Sequence, residues 1–311
     1  MTKCLLLFSG GLDSTVAFYI LKEQGCEVIP FKITTPFLSS NHLKNVPFEI
    51  TQKIVYYEAK QDYIELVLHP EYGYGRGLNP CIDCKIYMLK KAKEYLQQNS
   101  LDIIATGEVV GQRPFSQQKY QLKLIEKKTN LEDKILRPLC AKLLPPTIYE
   151  KNGIIDREKL LSISGRSRKI QIELAKKYGI HNPFSAGGCL LTDKNFVDRF
   201  KTLLEKFKNW DIQDIELLKI GRHFYYKDTK VILGRDKNEN ETLISYSKNK
   251  EKFFIIEPPF IGPVALCYVS RSIDKKEIYE YAIQLIKNYS KKNQSSINES
   301  SSNNGPSLHT V

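Results

Sequence analysis

An apolar run from Lys3 to Phe8 ends in Ser9-Gly10-Gly11-Leu12-Asp13-Ser14, and helical periodicity begins at once in Leu12, Val16, Ile20 and Leu21, stopping near Gly25. This strand–turn–helix constrains the chain more than any other feature. Two glycines let backbone amides come close to a phosphate. The new helix points its free amides and positive dipole end at the same place. Ser9 and Ser14 add hydroxyl donors, whereas Asp13 would repel a phosphate and suits holding the turn or a Mg²⁺. A plain capped turn would also use Ser and Asp, but the complete S-G-G-x-D-S string favours phosphate binding. The G-K-[ST] ending of the Walker loop is absent.

Strand-like runs follow at Cys26–Ile33, Tyr63–Leu68 and Leu101–Ala105, with a helix predicted over Ile86–Gln97. Strands alternating with helices predict an α/β fold, a doubly wound parallel sheet covered on both faces. A helix is predicted over 194–208. Short strands follow at Phe224–Tyr226, Val231–Leu233, Thr242–Tyr246 and 264–270, with a polar turn at Lys237–Asn240 and a last helix over 274–289. The expected organisation is residues 1–190 as the nucleotide domain with a basic middle segment, 191–290 as a smaller α+β domain, and 291–311 as a disordered polar tail.

Charge and cysteine usage narrow the function classes. The 311 residues carry a formal charge of +12. That excess suits a polyanionic partner such as nucleic acid, and equally a generally basic proteome. No apolar run approaches the ~20 residues needed to cross a bilayer. The opening apolar segment is too short for a signal peptide and reads as a buried strand. Seven cysteines, an odd count including one C-x-x-C, do not form a secreted disulfide framework. A reducing cytoplasm is the expected compartment.

Cys81 and Cys84 stand in Asn79-Pro80-Cys81-Ile82-Asp83-Cys84, ahead of the helix expected from Lys85. Thiols at a helix start have lowered pKa values and make better nucleophiles or ligands. Cys189 lies far away, behind Gly187-Gly188. Three readings stay open: small buried residues, a persulfide and its resolving thiol, or three ligands of a [4Fe–4S] cluster with one iron free. Structural zinc needs four ligands, and no fourth presents itself. Cys4, Cys26, Cys140 and Cys267 sit in apolar stretches and read as core.

The S-G-G-x-D-S turn resembles the signature of the PP-loop ATP pyrophosphatase superfamily, with its adenine nucleotide alpha hydrolase-like fold. The N-P-C-x-x-C segment and Ala105-Thr106-Gly107 at a strand end resemble the tRNA thiouridine synthetases within it. The resemblance implies ATP and Mg²⁺ at Ser9, Gly10, Gly11, Asp13 and Ser14, bordered by Thr106 and Gly107. It implies a tRNA sulfurtransferase that adenylates a uridine carbonyl oxygen and replaces it with sulfur. In the 2-thiouridine branch the catalytic pair falls on Cys84 and Cys189. In other tRNA thiolases a C-x-x-C plus a remote cysteine holds a cluster, and Cys81, Cys84 and Cys189 fit that pattern at least as well. Partners implied are tRNA and a sulfur donor, either sulfide or a persulfide carrier.

Arg113, in the loop after the fourth strand, would border the nucleotide. Arg166, Arg168 and Lys169 at a helix start are candidate RNA-phosphate contacts or a solvated charged face. The last domain is similar in outline to small RNA-associated modules, with Gly221-Arg222-His223 and Gly234-Arg235 as basic turns; a structural cap or homodimer surface is the alternative. Rival functions are a PP-loop ligase making a deazaguanine nitrile or an amide, and a nucleotide-binding or RNA-binding protein without catalysis. The nitrile-forming ligases carry a compact four-cysteine zinc cluster, unlike the dispersed cysteines here.

Overall fold

A computed structural model describes residues 1–39, 43, 45–180, 188–249, 251–269 and 273–290. The expected disordered tail, 291–311, lies outside them. The chain divides into two compact units, Met1–Thr192 and Asp193–Val311.

The first unit runs β1 (Lys3–Leu7), α1 (Leu12–Glu23), β2 (Glu27–Thr34), α2 (Phe48–Thr51), β3 (Val55–Glu58), α3 (Gln61–Leu68), α4 (Cys81–Gln98), β4 (Ile103–Thr106), α5 (Lys119–Thr129), β5 (Ile135–Leu136), α6 (Ile148–Lys151) and α7 (Lys169–Lys177). Its five strands are all parallel, in the order β3-β2-β1-β4-β5. The order reverses between β1 and β4, and open α/β sheets bind ligands at the carboxyl ends of strands beside such a switch point. Cys4 and Leu6 of β1 pack with Val16, Ala17, Ile20 and Leu21 of α1 and with Ala175 of α7. The opposite face of β1 is covered by α4.

Two expectations need correction here. Tyr63–Leu68 is helical, and the third strand is Val55–Glu58. Tyr63, Ile64 and Val67 are the buried positions of α3, at helical rather than alternating spacing. The helix carrying the C-x-x-C begins at Cys81, not near Lys85, so both thiols belong to its first turn.

The second unit contains α8 (Lys194–Lys206), α9 (Ile212–Leu217), β6 (Arg222–Tyr226), β7 (Thr229–Leu233), α10 (Lys237–Tyr246), β8 (Phe253–Ile256), β9 (Ala265–Tyr268) and α11 (Lys275–Tyr289). Its antiparallel sheet has the order β6-β7-β9-β8. Phe224, Val231, Ala265 and Cys267 meet Ile278, Ala282 and Leu285 of α11 on one face. Ile232, Phe253 and Leu266 meet Leu217 of α9 and Leu243 of α10 on the other. The predicted turn at 237–240 and strand at 242–246 are instead one helix. Asp236 caps it by accepting the Glu239 amide at 3.0 Å.

Candidate active site

The turn after β1 is built by its own side chains. Gly10 has φ +82°, in the region that favours glycine. The Ser14 hydroxyl donates to the Gly11 carbonyl at 3.0 Å and lies 3.1 Å from the Ser9 hydroxyl. The Thr15 hydroxyl donates to the same carbonyl at 3.0 Å. Lys32, buried in β2, donates to the Ser9 carbonyl at 3.0 Å, and burial pulls its pKa down to about 8. The sequence offered a signal for Lys32 that went unread, a lone cation inside an apolar strand.

Thr106 ends β4 in register with Leu7, and Gly107 follows it directly. A Cβ on Gly107 would stand 2.8 Å from backbone atoms of Ser14, so only glycine lets the end of β4 close on the first turn of α1. Gln112 donates to one Asp13 oxygen at 2.7 Å, and the other Asp13 oxygen is buried without a hydrogen-bond partner. Gln171 reaches Gln112 at 3.4 Å, which ties α7 to the turn.

The three thiols come from distant parts of the chain. Asp83 accepts the amides of Glu71 and Tyr72 at 2.9 and 3.2 Å and so fixes the loop ahead of α4. Cys189 is delivered by an isolated antiparallel bridge to Leu38, with the Ser39 amide on the Gly188 carbonyl at 2.9 Å and the Leu190 amide on the Phe37 carbonyl at 2.8 Å. The preceding Ser185-Ala186-Gly187 lies outside the described residues. Tyr63 donates to Cys84 Sγ at 3.1 Å. Burial raises all three thiols, Cys189 to about 12; Tyr63 and Lys85 act the other way on Cys84, as Arg113 and Lys85 do on Cys81.

Turn and thiols open into one cavity of about 180 Å³, lined among others by Ser9, Asp13, Ser14, Gly107, Cys81, Cys84 and Cys189, with Arg113 at its edge. Lys85 and Glu108 also face it. Glu108 is buried and held by Lys85 at 3.2 Å and Arg137 at 3.1 Å. Burial alone would raise its carboxyl, but the two cations pull it down to about 2. Tyr63, Lys85 and Glu108 were missed in the sequence, since nothing in their spacing separates them from ordinary helix and loop residues.

Arg166, Arg168 and Lys169 are not among the residues lining this cavity; Arg166 and Lys169 are exposed where α7 begins. Cys4, Cys26, Cys140 and Cys267 are buried, as expected of core residues. Among the described residues no group of three or more His, Cys, Asp or Glu stands at metal-binding spacing. In the second unit His223 is buried, so it is no basic surface contact, and Arg235 is committed to Glu239.

The switch point, with a glycine-rich phosphate-type turn on one side and a glycine on the other, defines a protein of the PP-loop class. The chain belongs to the ThiI family, described as thiamine biosynthesis protein, whose model matches residues 1–161. A second model, the NFACT protein RNA binding domain, matches residues 221–309. A probable tRNA sulfurtransferase of Methanocaldococcus jannaschii is 30% identical over 158 residues, covering 49% of this chain and 39% of its own length. One from Acholeplasma laidlawii is 32% identical over 165 residues, covering 50% and 37%. A tRNA-specific 2-thiouridylase of Fusobacterium nucleatum is 24% identical over 261 residues, covering 78% and 68%. The chain thus spans about two fifths of the length of the two sulfurtransferases. No helix among the described residues is long and apolar enough to cross a membrane.

Proposed function

We propose that the chain is an ATP-dependent tRNA sulfurtransferase that adenylates a uridine carbonyl oxygen and replaces it with sulfur. One observation carries this reading: a phosphate-type turn and three thiols face the same cavity. The names of the relatives support it, as does the RNA-binding description of the second family model. ATP would lie against Ser9, Gly10, Gly11, Ser14 and Gly107, where turn amides and the start of α1 suit phosphate. The partnerless Asp13 oxygen is a suitable ligand for the accompanying Mg²⁺. Arg113, Arg166, Arg168 and Lys169 are the proposed contacts to tRNA phosphates. Seven free cysteines suit a reducing cytoplasm.

The uridine oxygen attacks the α-phosphorus, and pyrophosphate leaves with the electron pair. The oxygen is now part of an ester whose departure as AMP is easy. The terminal sulfur of a Cys84 persulfide, loaded by a persulfide donor, bonds to the ring carbon as AMP leaves. The Cys189 thiolate then attacks Cys84 Sγ, and the sulfur–sulfur bond breaks toward the base. A Cys84–Cys189 disulfide remains, and a thiol reductant supplies two electrons to reset it. These steps run through thiols alone. Were a [4Fe–4S] cluster bound, Cys81, Cys84 and Cys189 would be its ligands, and it would hold sulfide at its free iron.

The test follows pyrophosphate and thiouridine separately, with tRNA, ATP and a persulfide donor. Wild type forms both; Cys84→Ala and Cys189→Ala keep tRNA-dependent pyrophosphate release and lose thiouridine. Iron and labile sulfide assayed after anaerobic purification of wild type and Cys189→Ala separate cluster from persulfide. Stoichiometric zinc with no tRNA binding would point to the small-molecule ligase, and no pyrophosphate with any tRNA would leave a binding protein.

A further inference from the structure

The second unit holds a group of buried polar atoms that the sulfur chemistry does not use. In the β6–β7 pair Tyr225 stands opposite Lys230, and His223 opposite Ile232. Residues opposite one another share a face, as do residues two apart, so His223, Tyr225 and Lys230 lie on one side of the sheet. Lys230 is fully buried; its Nζ has no hydrogen-bond partner among the described residues and lies 5.5 Å from the centre of the Tyr268 ring. His223 donates from Nε2 to the Ile220 carbonyl at 2.9 Å, which leaves Nδ1 unpartnered. The Tyr225 hydroxyl and Arg199 Nε are buried without partners too. Arg199 reaches this face from α8, using one Nη on the Leu218 carbonyl at 3.1 Å. It acts electrostatically on His223, Tyr225 and Lys230 alike.

Nearby carboxylates do not meet these groups. Asp214 takes Lys252 at 2.6 Å and the Tyr268 hydroxyl at 2.7 Å. Glu239 holds Arg235, and Asp193 caps α8 through the Phe196 amide. Buried polar atoms are normally satisfied, and a buried cation without a counter-charge is costly. Here four unmet atoms, three of them on basic side chains, are gathered from two strands and a helix. An oxyanion accepts from Lys230, Arg199 and the Tyr225 hydroxyl, and from His223 Nδ1 once its approach protonates the ring; charge-assisted bonds are the strong ones.

We propose that Arg199, His223, Tyr225 and Lys230 form a binding site for a phosphate oxyanion, Arg199 and Tyr225 being half-buried and Lys230 and His223 fully buried. Burial holds Lys230 down at about 7, with Asp214 pulling up and Arg199 and Lys252 pushing down; burial, Lys230 and Arg199 hold His223 well below its ordinary range, and an anion would raise both. The phosphate belongs to an RNA backbone or to free phosphate. The site stands on the second unit alone and is independent of the adenylation and sulfur chemistry.

The experiment titrates the full chain with inorganic phosphate against potassium chloride of equal ionic strength, following thermal melting. Phosphate is expected to raise the melting temperature beyond chloride. Arg199→Gln and Lys230→Met each weaken phosphate at least about tenfold. Lys230→Met melts no lower than wild type without phosphate, since it removes an unmet buried charge. Phosphate acting no better than chloride, or equally on wild type and both variants, overturns the proposal. A short RNA displaced by phosphate at constant ionic strength, and weakened by Arg199→Gln, assigns the site to RNA phosphates. An RNA indifferent to both, with phosphate still bound, assigns it to free phosphate.

Discussion

The Tyr63 hydroxyl donates to the Cys84 sulfur at 3.1 Å, from a helix packed beside the one that carries the thiol. A donor at that distance stabilises the thiolate against the burial that raises it. Tyr63→Phe removes the donor and keeps the ring that packs on Tyr87 at 5.2 Å. The Cys84 thiol is expected to titrate higher, so alkylation near neutral pH slows. A pH profile of iodoacetamide labelling at Cys84 checks this, and an unchanged profile would leave Tyr63 with packing alone.

Gly107 meets Ser14 so closely that a methyl group has no room. The atoms in the way are backbone, so they cannot swing aside. Gly107→Ala should cost about 1–3 kcal/mol of stability and part the end of β4 from the start of α1. ATP affinity and melting temperature should fall together.

These two residues also show what was legible in the sequence. The phosphate turn, the parallel sheet and the three thiols were readable because each has a local pattern: glycines between strand and helix, apolar runs, a C-x-x-C. Gly107 was read as a border of the nucleotide site, but the need for glycine there comes from Ser14, 93 positions back. Tyr63 was lost because a short apolar run suits strand and helix alike. Residues 242–246 failed for the same reason, with the deciding cap at Asp236. The bridge between Leu38 and Cys189 has no local pattern at all.

Glu108 joins buried Arg137, which also pairs with Glu126, to half-buried Lys85, and its removal costs both cations a partner. Glu108→Gln is expected to cost about 1–3 kcal/mol. Its folded carboxyl, at about 2, lies below the ordinary value, so the stabilisation is complete above about pH 4.5 and is lost as pH falls toward 2. Wild type should therefore lose melting temperature over that window more steeply than Glu108→Gln, as scanning calorimetry at pH 3 to 6 would record. Parallel curves would show that the charge does not matter.

Gln112 bridges Asp13 on α1 and Gln171 on α7. Gln112→Leu frees the second Asp13 oxygen and leaves Gln171 unmet in a buried place. ATP binding measured with Mg²⁺ should weaken about tenfold, a loss of about 1.4 kcal/mol. Undiminished affinity would show that Asp13 needs no such anchor.

The bridge that brings Cys189 to Leu38 joins segments about 150 residues apart. On a growing chain the phosphate turn can take shape once the first strands pair, whereas the third thiol must wait until almost the entire first unit has left the ribosome. The proposed grip on the nucleotide and the proposed sulfur chemistry are thus separated in time during synthesis. A chain cut short after the family-matched segment would keep the residues of the turn while lacking both Cys189 and the Gln171 that ties α7 to it.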